Sequence, residues 1–428
     1  MKKLCVISCP IATRSGYGAR SRDFVRSLID VKGEEWDIKI LSQRWGQCPM
    51  NALTPEDSDL TSRIINNLEQ KPEVWIQITI PSEFQPVGNF NIGVSAVIET
   101  SDASAEFIDG CNRMDLTLTS SVHSARTLSA VYDKLNDQTK QKIGELKLEK
   151  PVEVLFEGFD KNIYDNKKPI NKNVKSVFEK IPEQFCFLFV GHWLPGDDGH
   201  DRKNIYSLIK VFLNTFKGTN LRGGSKPALI LKTNNGNPSI SNIHRIKKII
   251  ERCKRRIGGS NFPNIYILDG DLTDDEMNSV YNHPKVKSHV SFTHGEGFGR
   301  PLLEACISGK PIIASAWSGH LDFLNPSFNF LVGGKIEEVH PSARNKWNIE
   351  GSKWFKIDHQ QATGVLKSVY KNYKKALEMS RKNRQFVRDN FTQEHMTTKL
   401  GELLEKYKVG EGPTQVGLKL PKLKKKDA

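Results

Sequence analysis

The sequence predicts an α/β protein built of two doubly wound domains, on three observations. Residues 3–9 (KLCVISC) form an apolar run that Ser15-Gly16-Tyr17-Gly18 breaks before a helical stretch at 19–28. Strand, glycine turn and helix in that order make the first unit of a doubly wound sheet. A second β-run opens at 185–190, after the polar, lysine-rich stretch 165–183, so periodic structure resumes there. Within that second half, residues 294–319 (HGEGFGRPLLEACISGKPIIASAWSG) read as loop, helix and strand. At 428 residues the chain is long enough for two domains with well-buried cores.

Further strands are predicted at 37–41, 74–80, 92–98, 116–119 and 152–156, the last followed by the turn Gly158-Phe159-Asp160. In the second half they are predicted at 229–233, 265–268 and 312–314. From 359 to 407 the pattern is helical: Val365, Leu366, Val369, Tyr370 and Tyr373 recur at 3.6 spacing, as do Leu400, Leu403, Leu404 and Tyr407. The tail 410–428, ending LKLPKLKKKDA, is low in complexity and expected to be disordered and solvated.

Hydrophobic residues make up 37%, and no apolar run approaches the ~18 residues that span a bilayer, so a soluble protein is expected. The start, MKKLCVISCP, has too short an apolar run and no small-residue cleavage site for a signal peptide, and reads as the first strand. Seven scattered cysteines without a Cys-x-x-Cys argue for a reducing, cytoplasmic setting and against a disulfide framework or zinc site. Residues 1–200 carry 24 Lys and Arg against 28 Asp and Glu, whereas residues 201–428 carry 39 against 21. The whole basic excess therefore lies in the second half, which points to a polyanion or an anionic membrane face; a generally lysine-rich proteome is the alternative.

The chemistry concentrates in two carboxylates. Glu296 sits in a loop with Gly295, Gly297 and Gly299, and Glu304 lies eight positions on, in a helix for which Pro301 is a favoured first-turn residue. Both are expected to face the space above the helix N-terminus, together with bare amides at Gly297, Phe298 and Gly299. Amides at a helix N-terminus attract anions and carboxylates accept hydrogen bonds from hydroxyls, so a ligand rich in hydroxyls and phosphate, such as a nucleotide sugar, fits. A capped helix with a solvated glutamate at each end is the alternative, and the glycines and proline at these offsets argue against it.

GEGFGRPLLEA, followed by Gly309-Lys310-Pro311 and a strand, resembles the Glu-x7-Glu signature of retaining glycosyltransferases of family 4. The resemblance spans nearly the whole chain and is strongest over 270–319. It implies the GT-B fold, two Rossmann-like doubly wound domains facing across a cleft. The corresponding division is 1–165 as the acceptor-side domain, 166–184 as linker, 185–390 as the nucleotide-sugar domain, 391–409 as a last helix crossing back, and 410–428 as a basic tail. It implies that Glu296 contacts the donor sugar and Glu304 the ribose, while the loop with Gly16 and Gly18 approaches the donor phosphates. A lysine at the head of a helix clamps the diphosphate in this family, and Lys203 matches it. His192 stands where the family has an arginine, a departure for which Arg202 or Lys232 could supply the charge. Gly270 and Leu272 fall where the base lies against the backbone. VIETSD (97–102) with CNRMDLTLTSSVHSA (111–125) resembles one branch of the family and makes Glu99 a candidate for holding acceptor or donor sugar; His123 reads as structural. The catalytic set is thus Glu296, Lys203, Arg202 and Glu99.

The resemblance further implies transfer from a nucleoside-diphosphate sugar, UDP-linked by expectation, with retention, no general base, no metal and no cofactor beyond the donor. Charge favours a hydroxymethylated base in phage DNA as acceptor, reached by base flipping, with Arg14, Arg20, Arg22 and Arg26 as a grip on an anionic acceptor or, equally, a solvated helix face. A bacterial surface glycan, a lipid-linked acceptor at an anionic membrane, and a non-catalytic nucleic-acid-binding protein are the alternatives.

Overall fold

A computed structural model describes residues 2–135, 139, 141–193, 198–218, 226–233 and 240–411. The predicted tail beyond 411 lies outside the described residues. The first lobe is built on β1 (Lys3–Cys9), β2 (Trp36–Ser42), β3 (Ile64–Ile65), β4 (Val74–Ile78), β5 (Phe90–Ser95) and β6 (Leu116–Thr119). A hairpin of β7 (Tyr132–Leu135) and β8 (Lys142–Leu146) follows, and then β9 (Val152–Val154). The main sheet is parallel throughout, in the order β3-β2-β1-β4-β5-β6-β9. The second lobe repeats the plan with β10 (Cys186–Val190), β11 (Ala228–Lys232), β12 (Ile265–Leu268), β13 (Val286–Ser291), β14 (Ile312–Ser315) and β15 (Phe330–Val332). Their order is β12-β11-β10-β13-β14-β15, again parallel, and an antiparallel hairpin, β16 (Gly334–Glu338) and β17 (Lys353–Ile357), is added after it.

Helices cover both faces of each sheet, which is why the strands read as continuous apolar runs rather than alternating ones. Phe187, Phe189, Leu229, Leu231 and Phe212 meet in one layer of the second lobe, and Leu188, Ile230, Leu303 and Phe323 in the other. Each such side chain contributes about 1.5–3 kcal/mol by leaving water.

The first helix, Gly16–Lys32, starts three residues before the sequence pattern predicts, because Ser15 caps it by accepting from the Gly18 amide at 2.9 Å. Gly16 and Gly18 therefore form the opening turn of the helix rather than a loop ahead of it. The strand predicted over 92–98 stops at Ser95, since Val97 takes a left-handed backbone (φ 57°) that no strand accommodates. The stretch 359–407 resolves into three helices, His359–Lys371, Tyr373–Asn390 and Gln393–Lys406. The last packs on the first helix of the chain: Met396, Leu400, Leu403 and Leu404 enter the first lobe's core, and Gln393 donates to the Asp23 carbonyl at 2.8 Å. Among the described residues no helix is long and apolar enough to cross a membrane.

The loops after β5 and β6 meet those after β13 and β14, so the carboxyl ends of the two sheets face each other. Ser121 and Ser124 donate to the Gly297 carbonyl, and the Val122 amide donates to Asp322 at 2.9 Å. Open parallel sheets bind ligands at such strand ends.

Candidate functional site

The loop leaving β13 is shaped by its own hydrogen bonds. Thr293 Oγ1 donates to the Gly295 carbonyl at 2.8 Å, the Glu296 amide donates to Ser318 Oγ at 2.8 Å, and Gly319 donates back to the Glu296 carbonyl at 2.9 Å. Gly299 (φ 97°) then turns the chain into the helix Arg300–Ile307, with Pro301 in its first turn. A Cβ on Gly295 would lie 2.1 Å from the Glu99 carbonyl oxygen, and one on Gly297 would lie 2.9 Å from Ala96. Both glycines are thus demanded by the close approach of the other lobe. The amides of Gly297, Phe298 and Gly299 donate to no other described residue and stay available to a ligand. The Phe298 side chain is not: it is buried in the core beside Phe323, so only its backbone can take the donor-binding role.

Between the lobes lies a charge network. Lys203 Nζ sits 2.6 Å from each carboxylate oxygen of Glu296, with Lys203 8% and Glu296 6% exposed. Arg202 Nη1 is 2.9 Å from Glu99 Oε1 and 3.5 Å from Glu296 Oε2. Burial pushes the Glu296 carboxyl up, but Lys203 and Arg202 outweigh it and hold the group below the usual carboxylate range, so it is ionised at neutral pH. Lys203 is itself lowered: burial comes first and, with a smaller push from Arg202, outweighs the opposite pull of Glu296. The bidentate contact defines the pair as ammonium and carboxylate all the same. The structure thus brings together Glu296, Lys203, Arg202 and, from the facing lobe, Glu99.

Glu304 has partners of its own. Its Oε1 accepts from Arg300 Nε at 3.0 Å and its Oε2 from the Tyr281 hydroxyl at 3.1 Å. Burial raises its carboxyl to about 7, against the pull of Arg300. Arg300 also pairs with Asp23 of the first lobe and lies 3.9 Å from Glu157, so it ties the lobes together beneath the motif. Sequence reasoning missed Arg300 and Asp23; the one available signal was the i, i+4 spacing of Arg300 and Glu304.

The remaining predicted residues fall into two groups. Near the network, His192 follows β10, and burial first, then Lys203, Lys232 and Arg202, lower its ring to about 4, so it is neutral and not a replacement cation. Lys232, at the end of β11, donates to the Gly270 carbonyl at 2.7 Å and so ties that strand end to the loop bearing Gly270 (φ 98°), and Leu272 packs against the second core. Gly16 has open space around it, whereas the Gly18 amide is already taken by Ser15 and a Cβ there would lie 2.1 Å from the Thr13 carbonyl. Gly18 is therefore a packing residue, which corrects its donor-phosphate role.

The four arginines of the expected acceptor grip are all engaged within the first lobe or at its seam with the last helix. Arg20, 5% exposed, donates to the Leu155 and Phe156 carbonyls at 2.6 and 2.7 Å. Arg22 donates to the Ile11 carbonyl at 2.9 Å, Arg26 pairs with Asp57 and Asp59, and Arg14 binds Asn51. That expectation is corrected: these side chains brace the loops of the first sheet. His123 lies edge-on to Trp317 at the cleft, its ring lowered to about 4, chiefly by burial.

No family model matches the chain, and no curated protein matches it by sequence. Solved structures do match in fold. Sucrose-phosphate synthase from Thermosynechococcus elongatus superposes with a TM-score of 0.62 at 11% identity, over 96% of this chain and all of that one. HepE of Anabaena, in complex with UDP-glucose, gives 0.59 at 12% over 94% of this chain and all of that one. A glycosyltransferase from Rickettsia africae gives 0.60 at 13% over 95% of this chain and 98% of that one. At such identities the likeness establishes architecture, and the chain has the GT-B fold, two Rossmann-like lobes facing across a cleft.

Proposed function

We propose that the protein is a retaining glycosyltransferase that moves a sugar from a nucleoside-diphosphate donor, UDP-linked, to a hydroxyl. The observation that carries this reading is the Lys203–Glu296–Arg202–Glu99 network beside three amides that donate to no other described residue, in the cleft of a GT-B fold. The bound UDP-glucose of HepE supports the choice of donor.

The chemistry follows from the charges. Breaking the anomeric C–O bond leaves negative charge on the departing diphosphate. Lys203, Arg202 and the amides of Gly297–Gly299 meet that charge in a site largely shut off from water, where fixed cations and dipoles act more strongly on the transition state than on the ground state. Glu296, ionised and no longer satisfied by Lys203 once a phosphate competes for it, accepts hydrogen bonds from sugar hydroxyls. Glu99 approaches from the facing lobe and holds the sugar or acceptor. The acceptor oxygen bonds to the anomeric carbon on the face the diphosphate leaves, and the acceptor's proton passes to the departing phosphate oxygen. Glu304, gripped by Arg300, receives the ribose hydroxyls.

For the acceptor we infer a hydroxymethylated base in DNA. The basic excess supports it, as does the helix Ile240–Ile257, which buries Ile246, Ile250 and Cys253 while Lys247, Lys248 and Arg255 stay exposed on its other side. Mass spectrometry of nucleosides from cells expressing the protein tests this: glycosylated bases are expected, and binding confined to anionic vesicles with unmodified DNA would instead support a lipid-linked acceptor.

A further inference from the structure

The hairpin β16–β17 belongs to neither sheet, and β17 leaves one edge free of β16. That edge is spent on two anchors. Lys353 exchanges a pair of hydrogen bonds with Ser101 of the first lobe: the Ser101 amide donates to the Lys353 carbonyl at 2.7 Å, and the Lys353 amide donates to Ser101 Oγ at 2.9 Å. Two residues on, the Phe355 amide donates to the His294 carbonyl at 3.0 Å, and the Phe355 carbonyl accepts from His294 Nδ1 at 2.6 Å. Ser101 lies two residues after Glu99, and His294 lies two residues before Glu296. One short strand therefore holds both carboxylate loops, one from each lobe.

Tryptophans back the anchors. The His294 ring is buried and stacks on Trp354 with centroids 4.2 Å apart and planes 11° apart. Trp347, in the loop between β16 and β17, packs against the first lobe's cluster. Along a strand, positions i and i+2 stand roughly 6.6–6.8 Å apart and point the same edge-on way. Lys353 and Phe355 thus fix a spacing between the Glu99 and Glu296 loops, alongside the direct approach of Gly295 to the Glu99 carbonyl and of Gly297 to Ala96. The left-handed backbone of Val97, a β-branched residue, fits a loop held from outside, since such a conformation persists only where its surroundings impose it.

We propose that β17 is a ruler across the cleft. Ser101 and His294 are positioning residues that set Glu99 and Glu296 at the separation Arg202 bridges, and so govern turnover rather than donor binding. This rests on the glycosyl-transfer reading above.

A series at Ser101 tests it. Ser101→Thr keeps both hydrogen bonds, Ser101→Ala loses the one through Oγ, and Ser101→Pro loses both. UDP release from UDP-glucose is expected to stay within about twofold for Thr, to fall roughly tenfold for Ala and on the order of a hundredfold for Pro. UDP affinity, a property of the second lobe, stays within about twofold throughout. Hydrogen exchange over residues 96–102 and 293–297 rises in the same order. Unchanged turnover in the Ala and Pro variants, a Thr variant as impaired as Ala, or unchanged exchange in those segments overturns the ruler. Wild-type protein that neither binds UDP nor releases it, with exchange rising as described, leaves the ruler standing as a lobe-spacing device and rejects the donor reading instead.

Discussion

Replacing Lys203 by methionine probes the centre of the site, because the size of the effect follows from the geometry. Lys203 Nζ touches both oxygens of a carboxylate that is itself 6% exposed, so the substitution strands Glu296 as a buried charge. Removing one partner of a buried pair costs about 3–5 kcal/mol. Arg202, 3.5 Å from Glu296 Oε2, takes over part of the role and places the expected loss at the low end, about 3 kcal/mol. Glu296→Gln leaves the ammonium with an amide oxygen for company and is expected to lose about 2 kcal/mol. In Lys203→Met/Glu296→Gln no buried charge is stranded, so the double variant is expected to be more stable than the summed losses by about 2 kcal/mol. Urea unfolding of the four proteins measures the cycle, and donor hydrolysis on the same samples is expected to drop by about 10²–10³ for either single change. Losses that add to within about 0.5 kcal/mol would show that the two groups do not sustain each other, and the reasoning would fail.

Glu304 gives a pH signature. Its folded-state carboxyl, at about 7, lies above the 4.5 of an unperturbed glutamate, so the folded state holds the proton more tightly than the unfolded chain. Its contribution is favourable at low pH and is lost as pH rises through 7; relative to Glu304→Gln, the wild type is expected to lose up to about 3 kcal/mol between pH 5 and 8. Parallel stability profiles for the two proteins would contradict this. His192→Arg adds a permanent cation where a neutral ring stands, and UDP is expected to bind on the order of tenfold tighter in calorimetry; no gain would show that the diphosphate does not lie there. Arg20→Ala frees the Leu155 and Phe156 carbonyls and is expected to destabilise by about 2–3 kcal/mol with UDP and DNA affinity unchanged, whereas an acceptor grip would leave stability unchanged and weaken DNA binding.

The two sheets were legible because their strands are buried on both faces. KLCVISC and CFLFV need no partner in sequence to declare themselves, and β6 and β12 fall on the predicted residues. The carboxylate motif was legible for a related reason: Glu296, Gly299, Pro301 and Glu304 lie within one loop and one helix, where spacing determines geometry. What escaped depends on distant residues. Ser15 moved the helix start because its hydroxyl reaches the Gly18 amide. The arginines at 14, 20, 22 and 26 looked available until Asn51, Phe156, Ile11 and Asp57 were brought beside them. The glycines of the motif looked like bare amides, and only the approach of Ala96 and Glu99 from the other lobe shows that they also make room. The β16–β17 hairpin left little mark, since GKIEE is largely exposed and KWFKI takes its significance from Ser101 and His294.

The most direct test of the donor assignment is release of nucleoside diphosphate from a panel of nucleotide sugars by the wild type, Glu296→Ala and Lys203→Ala. Hydrolysis of at least one donor, UDP-glucose foremost, is expected in the wild type, with a fall of about 10²–10³ in each variant. Turnover that the two substitutions leave unchanged, or no release from any donor in the panel, would contradict it.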